Sequence, residues 1–223
     1  MDWRFLQEEI VSAQEAVTDM KDFGTAIILA GGKSSRMGFD KQTLRFRERG
    51  LMDGLIKKLR KDFDEIIVVT NKPELYIGLA DVITQDIIPD MGPLSGIHAG
   101  LLRASSKYSF VTACDMPNIN HDYIRYMMDM VKGEVHLACV TLLGQWIEPF
   151  NAFYNVDMVG DIEKFLKRGE KAVHRLLKDM DVCLIPEEKA RTFSPEWEMF
   201  FNINTREDLG EYLRDGGLDE PAE

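Results

Sequence analysis

The sequence predicts an α/β fold in which helices cover both faces of a mostly parallel sheet. Short apolar segments alternate with segments of helical length and periodicity between about residues 24 and 214. Such alternation is typical of strand–helix–strand units, which place helices on both faces of a parallel sheet. The chain has 223 residues, 45% of them hydrophobic, so it is long enough to bury a large core. Polar motifs that follow strands should then lie at the carboxyl edge of the sheet, where ligands bind in this class.

The predicted strands are apolar runs that end in turn-forming or polar residues. Residues 26–30 form a continuous apolar run followed by two glycines, which is typical of a strand buried on both faces. The other predicted strands, in chain order, are 65–70, 82–84, 109–113, 135–143, 152–154, 182–185 and 200–203. The less regular stretch 144–151 is expected to carry an antiparallel strand, which is common at sheet edges.

The predicted helices are the segments between these strands. They are 52–62, 73–80, 93–104, 121–131, 157–168, 171–179 and 205–214. Thr205 is predicted to cap the last helix, with Asp208 at its third position, as in a capping box. Residues 1–22 show a further amphipathic pattern before the first strand. We therefore expect an N-terminal helical extension, 1–22, and one domain, 23–223.

The charge distribution excludes a polyanion-binding surface but leaves room for one small anionic ligand. The net charge is −11, which argues against nucleic acid or an anionic membrane as a partner. Most of the excess acid lies at the two ends, whereas residues 33–61 hold ten basic and three acidic residues. Lys58 and its basic neighbours in this segment are expected on a solvated helix.

Compartment and processing follow from what the sequence lacks. Its three cysteines show neither a disulfide framework nor the ligand spacing of a zinc site. No apolar run reaches the roughly 18 residues of a membrane span, and the first residues do not resemble a signal peptide. We expect a soluble cytoplasmic protein.

The loop after the first strand, residues 31–41, has the composition of a phosphate-binding loop. Gly31 and Gly32 allow backbone N–H groups to approach a ligand, and successive amides form an anion-binding nest. Ser34 adds a hydroxyl, while Arg36 and Lys41 add positive charge. A Walker A loop is excluded, since it requires a glycine five residues before Gly32. An ordinary turn with solvated charges is the alternative, but the combination favours a triphosphate.

Two further segments follow predicted strands and have two interpretations each. Asp115 ends an apolar strand, where a carboxylate is well placed to hold Mg²⁺, or simply to cap a turn. Residues 92–96 open a helix with Gly and Pro. Their free amides either face a ligand or belong to a plain loop.

The loop motif and the segments after it resemble a known family. Residues 29–41 read Leu-Ala-Gly-Gly-x-Ser-x-Arg-Met-Gly-x-Asp-Lys, which is similar to the signature of molybdenum cofactor guanylyltransferases, the MobA family. The resemblance continues in order at 70–71, 85–86, 92–97, 114–117, 148–149, 171–177 and 201–205. It implies a Rossmann-like, three-layer αβα sandwich of the nucleotidyltransferase type.

The resemblance also implies a reaction, transfer of GMP from GTP to the phosphate of molybdopterin with release of pyrophosphate. Its GTP-binding residues would be Leu29, Ala30, Gly31, Gly32, Ser34, Arg36, Lys41, Asn71, Asp86, Pro93, Leu94, Gly96 and Asp115. Within this set, Arg36, Lys41 and Asp115 would be catalytic, with Asp115 holding Mg²⁺. His174, Asn202 and Asn204 would bind the acceptor. Other cofactor-biosynthesis proteins or apo-molybdoenzymes are possible partners.

Three alternatives stay open at this point. Cytidylyltransferases of the same cofactor resemble Leu-Ala-Ala-Gly rather than Leu-Ala-Gly-Gly, and lack Gly-Pro-Leu-x-Gly, so both segments favour GTP. Other small-molecule nucleotidyltransferases lack the Asn-x-Asn-Thr motif of residues 202–205 in this form. A non-catalytic carrier of the finished cofactor would not need Arg36, Lys41 and Asp115 together. The chain departs from the family in lacking a Pro near residues 46–51, in having Arg206 where Pro is usual, and in its N-terminal helix.

Overall fold

A computed structural model describes residues 20–31 and 41–214 of the chain. Most of the predicted helical extension, residues 1–19, therefore lies outside the described residues, as do Gly32, Ser34 and Arg36. Lys41 is described as part of a helix, but its side chain is not.

The described residues contain seven strands in one sheet. They are β1 (Lys21–Leu29), β2 (Glu65–Val69), β3 (Val82–Thr84), β4 (Ser106–Ala113), β5 (Ala138–Leu143), β6 (Trp146–Asn155) and β7 (Val182–Ile185). Their order is β3-β2-β1-β4-β6-β5-β7. Strand β6 runs antiparallel to both neighbours, and every other pair is parallel. The predicted mostly parallel sheet, with an antiparallel strand beginning in 144–151, is confirmed.

Helices pack on both faces of this sheet, which confirms the three-layer arrangement. The helices are α1 (Lys41–Leu59), α2 (Pro93–Leu101), α3 (His121–Val131), α4 (Val159–Lys167), α5 (Val173–Lys178), α6 (Glu187–Arg191) and α7 (Arg206–Arg214). On the first face, Ile28 and Phe110 pack with α1, α3 and α6. On the second face, Ile27 and Val111 pack with α2, α4 and α5. Consecutive residues of one strand are thus buried on opposite faces.

Three predicted elements differ from the structure. Helix α1 begins at Lys41 rather than 52, a start that the charge-rich sequence and Gly50, a poor helix former, conceal. The predicted helix 73–80 is only a 3₁₀ turn, Pro73–Leu75. The predicted strand 200–203 is wrong: a 3₁₀ turn, Glu198–Phe200, leads into an extended segment outside the sheet. Phe200 and Ile203 are buried in this segment, and burial of apolar residues gives the same sequence pattern as a strand.

The capping box of the closing helix is confirmed. The Asp208 carboxylate accepts hydrogen bonds from the N–H groups of Asn204 at 2.9 Å and Thr205 at 2.8 Å. In return, the Thr205 hydroxyl accepts from the Asp208 N–H at 3.1 Å. These bonds satisfy amides that the first turn of α7 cannot pair internally.

Helix α2 lies close to β1 because Gly100 has no side chain. A Cβ atom at Gly100 would lie 2.5 Å from Ile27 Cγ2, in a core where Ile27 is fully buried. By contrast, a Cβ atom at Gly160, in α4, would have open space around it. Among the described residues, no helix combines the length and the apolar character that crossing a bilayer requires.

Replacing Gly100 by Ala is therefore expected to destabilise the protein. The added methyl group must push α2 away from β1, which should lower the free energy of unfolding by about 1–3 kcal/mol. Urea denaturation followed by circular dichroism measures this change. The matched variant Gly160→Ala should leave the stability unchanged or slightly higher, and equal losses in the two variants would contradict the packing argument.

Candidate functional site

The carboxyl ends of four parallel strands meet at one edge of the sheet. Leu29 O accepts a hydrogen bond from the N–H of Cys114 at 3.0 Å, and the N–H of Ala30 donates to Val69 O at 2.8 Å. On the side of β2 that faces away from β1, the N–H of Thr70 donates to Thr84 O at 2.9 Å. The loop after β1 therefore starts between the loops after β2 and β4. This is the point where the strand order reverses, the usual ligand-binding crevice of such sheets.

A second set of predicted residues comes together where α2 begins. A Cβ atom at Gly96 would lie 3.0 Å from Leu29 Cδ2 and 3.6 Å from Asp86 Oδ1, so this glycine allows both side chains to approach the helix. Leu94 is fully buried in the first turn of the helix, where it packs in the core of the second face. The helix starts at Pro93 without a capping side chain. Asn71 is exposed just beyond β2.

Within residues 20–31 and 41–214, as far as their side chains are described, no basic group forms an ion pair with Asp86. Burial, and to a lesser extent the neighbouring Asp90, raises the pKa of the Asp86 carboxyl above its usual value. Asp90 itself has a left-handed backbone, with φ 62°. The Ser95 hydroxyl donates to Ile88 O and so ties this loop to the first turn of α2. The loop with Asp86 is therefore held at the N-terminus of α2, where the Asp86 carboxyl can accept a hydrogen bond from a ligand.

Asp115 stands just beyond β4 and has the properties of a cation ligand. Burial raises the pKa of its carboxyl. Within residues 20–31 and 41–214, no basic side chain pairs with it. The same residues hold no cluster of three metal-ligating side chains. A single carboxylate fits Mg²⁺ when phosphate oxygens and water complete the coordination shell.

The segment beyond the 3₁₀ turn is fastened beside Asp115 by Asn151. This residue has a left-handed backbone, φ 48°, which Asn tolerates better than most residues. Its side-chain oxygen accepts a hydrogen bond from Thr112 Oγ1 at 2.7 Å, and its amide nitrogen donates to Met199 O. Further on, the N–H of Ile203 donates to Asp115 O at 2.8 Å. No motif in the sequence pointed to Asn151.

The three predicted acceptor residues are divided between two parts of the fold. Asn204 Nδ2 donates to Asn202 O at 3.4 Å, so these two residues lie together on the segment beside Asp115. His174 lies instead on the exposed side of α5, which packs on the second face of the sheet.

Lys58 holds the loop after β4 in place. Contrary to the expectation of a solvated base, its Nζ atom donates to Pro117 O and to the Tyr212 hydroxyl, each at 3.0 Å. These bonds link α1, the loop that carries Asp115, and α7. Lys58 is therefore a positioning residue that the sequence alone did not reveal.

Comparisons with known proteins agree with this fold. The model of the MobA-like NTP transferase domain matches residues 26–183. The chain is 51% identical to a molybdenum cofactor guanylyltransferase of Syntrophotalea carbinolica over 87% of this chain and 92% of that one. It is 31% identical to a molybdenum cofactor guanylyltransferase of Desulfosudis oleivorans, over 84% and 93%. The crystal structure of molybdopterin-guanine dinucleotide biosynthesis protein A from Archaeoglobus fulgidus has the same fold, with a TM-score of 0.70, 22% identity and coverage of 86% and 98%.

The buried carboxylate of Asp115, which has no cationic partner among the described residues, should lower the stability of the ligand-free protein. Because burial raises the pKa of this carboxyl in the folded state, its ionisation lowers the free energy of unfolding. Stability is therefore greater at low pH and is lost as pH rises through the folded-state pKa. Asp115→Asn should therefore raise the free energy of unfolding at neutral pH, and the gain should vanish in acid. Urea titrations between pH 4 and 8 measure it.

Asp208→Asn provides a control of opposite sign. Backbone hydrogen bonds from Asn204 and Thr205 lower the pKa of Asp208, so its stabilising contribution exists at neutral pH and is lost as pH falls through the folded-state pKa. This variant should be less stable than the parent at pH 7. A loss of stability in Asp115→Asn at pH 7 would contradict our description of Asp115.

Proposed function

The chain belongs to the MobA-like NTP transferase family, and we propose that it transfers GMP from GTP to the phosphate of molybdopterin. A phosphate oxygen of molybdopterin attacks the α-phosphorus of GTP, the bond from that phosphorus to the bridging oxygen breaks, and pyrophosphate leaves. The product is molybdopterin guanine dinucleotide. The observation that carries the proposal is the sequence similarity to a molybdenum cofactor guanylyltransferase, which is 51% identical over 87% of this chain.

The chemistry asks the protein for positioning and charge neutralisation rather than for a general base. The attacking phosphate is already ionised at neutral pH, so no side chain has to remove a proton. The amides of Gly31 and Gly32, with Ser34, would hold the triphosphate at the crevice, and Arg36 and Lys41 would neutralise the leaving pyrophosphate. In-line placement of the two substrates can account for much of the rate.

Asp115 is the residue that we propose holds Mg²⁺. When bound, this ion supplies Lewis-acid neutralisation of phosphate charge. Asp115 is suited to it by the features given above, an oxygen ligand with no cationic partner among the described residues. The hydrogen bond from the Ile203 N–H to the Asp115 carbonyl would fix the backbone that carries this carboxylate.

The two ends of the site would bind different substrates. Asp86 and residues 93–96 would border the guanine base, and Asn71 would contact the nucleotide from the end of β2. Asn202 and Asn204 would bind the acceptor beside Asp115. His174 would also contact the acceptor, from its exposed position on α5.

Nucleotide preference tests the guanylyl assignment. Isothermal titration calorimetry with GTP, CTP and ATP in the presence of Mg²⁺ should show the tightest binding for GTP. The carboxylate of Asp86 and the amides near Gly96 can pair with a guanine edge that cytosine and adenine do not present. Tighter binding of CTP would instead indicate a cytidylyltransferase with the same fold.

Turnover tests the role of Asp115. With GTP, Mg²⁺ and molybdopterin, Asp115→Ala should slow pyrophosphate release by about a thousandfold, since metal neutralisation of phosphate charge accounts for several kcal/mol. Asp129→Ala, an exposed residue in the second half of α3, is the matched control and should retain full activity. Near-normal turnover of Asp115→Ala would refute the assignment. Tight binding of the cofactor by the parent without pyrophosphate release would indicate a carrier.

A further inference from the structure

The hairpin between β5 and β6 brings an exposed tryptophan to the same edge as the site. Because β6 is antiparallel to β4, with Ala152 paired to Val111, the first residues of β6 lie near the carboxyl end of β4. Trp146 is the first residue of β6, next to the turn at Gly144, and 71% of its surface is exposed. A large aromatic side chain that is exposed beside a substrate crevice is available to stack on a flat ligand.

Glu148 lies two residues further along β6 and on the same side of the sheet. It pairs with Thr141 of β5, whose hydroxyl is hydrogen-bonded to Tyr123 in the core of the first face. Trp146 and Glu148 therefore both belong to the first face, on which the segment with Met199 and Asn202 also lies.

The Glu148 carboxylate is half-buried and without a compensating partner. In the described parts of the chain, no cation and no hydrogen-bond donor is paired with it, and burial raises the pKa of its carboxyl. Burying a hydrogen-bond acceptor without a donor costs free energy, and a ligand that supplies donors removes this cost. An aromatic surface and an unsatisfied carboxylate are what a flat, N–H-bearing heterocycle requires.

We propose that Trp146 and Glu148 bind the pterin ring of the acceptor. The pyrimidine part of a pterin presents a 2-amino group beside a ring N–H, and the two oxygens of one carboxylate can accept from both. The indole of Trp146 would stack on the conjugated ring. This inference rests on the proposed function, because it takes molybdopterin as the acceptor, and it places specificity for the acceptor on β6.

The hairpin is held in the position that such a role requires. The N–H of Gly144 donates to Glu187 Oε2 at 3.0 Å, and the other oxygen of Glu187 accepts from Arg191 Nε at 2.8 Å. Helix α6 thus fixes the turn from which Trp146 projects. A platform fixed before binding loses less conformational entropy when the ligand arrives.

Steady-state kinetics of Glu148→Gln and Trp146→Ala test the inference. Pyrophosphate release is measured with varied molybdopterin at saturating GTP, and with varied GTP at saturating molybdopterin. Each variant should raise the KM for molybdopterin by roughly 10- to 100-fold, as expected for lost charge-assisted hydrogen bonds or stacking. The KM for GTP and the Mg²⁺ concentration for half-maximal rate should not change. Glu134→Gln and Val135→Ala, exposed residues before β5 at the opposite edge, are the matched controls.

The outcomes separate this inference from the proposed function. An unchanged KM for molybdopterin in both variants, or a raised Mg²⁺ requirement in Glu148→Gln, would overturn the pterin site while leaving guanylyl transfer intact. If the parent protein releases no pyrophosphate, the proposed function fails, and a fluorescence titration with 6-hydroxymethylpterin then decides the inference. Quenching that disappears in Trp146→Phe and weakens in Glu148→Gln supports the site, whereas equal quenching in all three proteins refutes it.

Discussion

The contact between α2 and β1 is the constraint on which the site depends. Strand β1 is buried on both faces between β2 and β4, and α2 can lie against it only because Gly96 and Gly100 carry no side chains. That close approach places the beginning of the helix, with the Asp86 loop tied to it, beside the end of β1. A helix held further from β1 would carry the Asp86 loop away from the end of that strand. The geometry of the nucleotide end is thus a packing consequence of two glycines.

The carboxyl edge of the sheet is acidic although the proposed substrates are anions. Asp86, Asp115 and Glu148 are each partly desolvated there, and none is paired with a basic side chain among the described residues. In the proposed function, each acid would meet a different positive or N–H-bearing group: a nucleobase edge, a metal ion and a pterin edge. The negative phosphates themselves would be bound by the amides and basic residues of the loop after β1. In the proposed function, the acids would therefore supply specificity and the loop would supply charge neutralisation.

Sequence reasoning recovered the elements whose burial or local chemistry is self-contained. The bounds of α3 and β7 agree with the pattern, and the Thr205–Asp208 cap follows from residues three apart. It failed where an element depends on distant partners. The buried apolar residues around Phe200 have the pattern of a strand, but the backbone of this segment is hydrogen-bonded to the loop of Asp115 rather than to the sheet. Asn151 is hydrogen-bonded to Thr112 and Met199, which lie far from it in the chain. Likewise, the candidate role of Glu148 depends on its pairing with Thr141 across the hairpin, which its own neighbours in sequence do not reveal.

The antiparallel pairing of β4 with β6 divides the crevice between two portions of the polypeptide. Residues before about 117 build the end proposed to bind the nucleotide, and residues from 146 to 204 build the end proposed to bind the acceptor, with Asp115 between them. Changes in the hairpin or in the segment after Met199 leave the β1–α2 contact untouched. Such a division allows the range of acceptors to diverge by mutation of the hairpin while the β1–α2 contact is inherited unchanged. The single antiparallel strand thus also marks the boundary on one side of which new acceptor specificities can evolve.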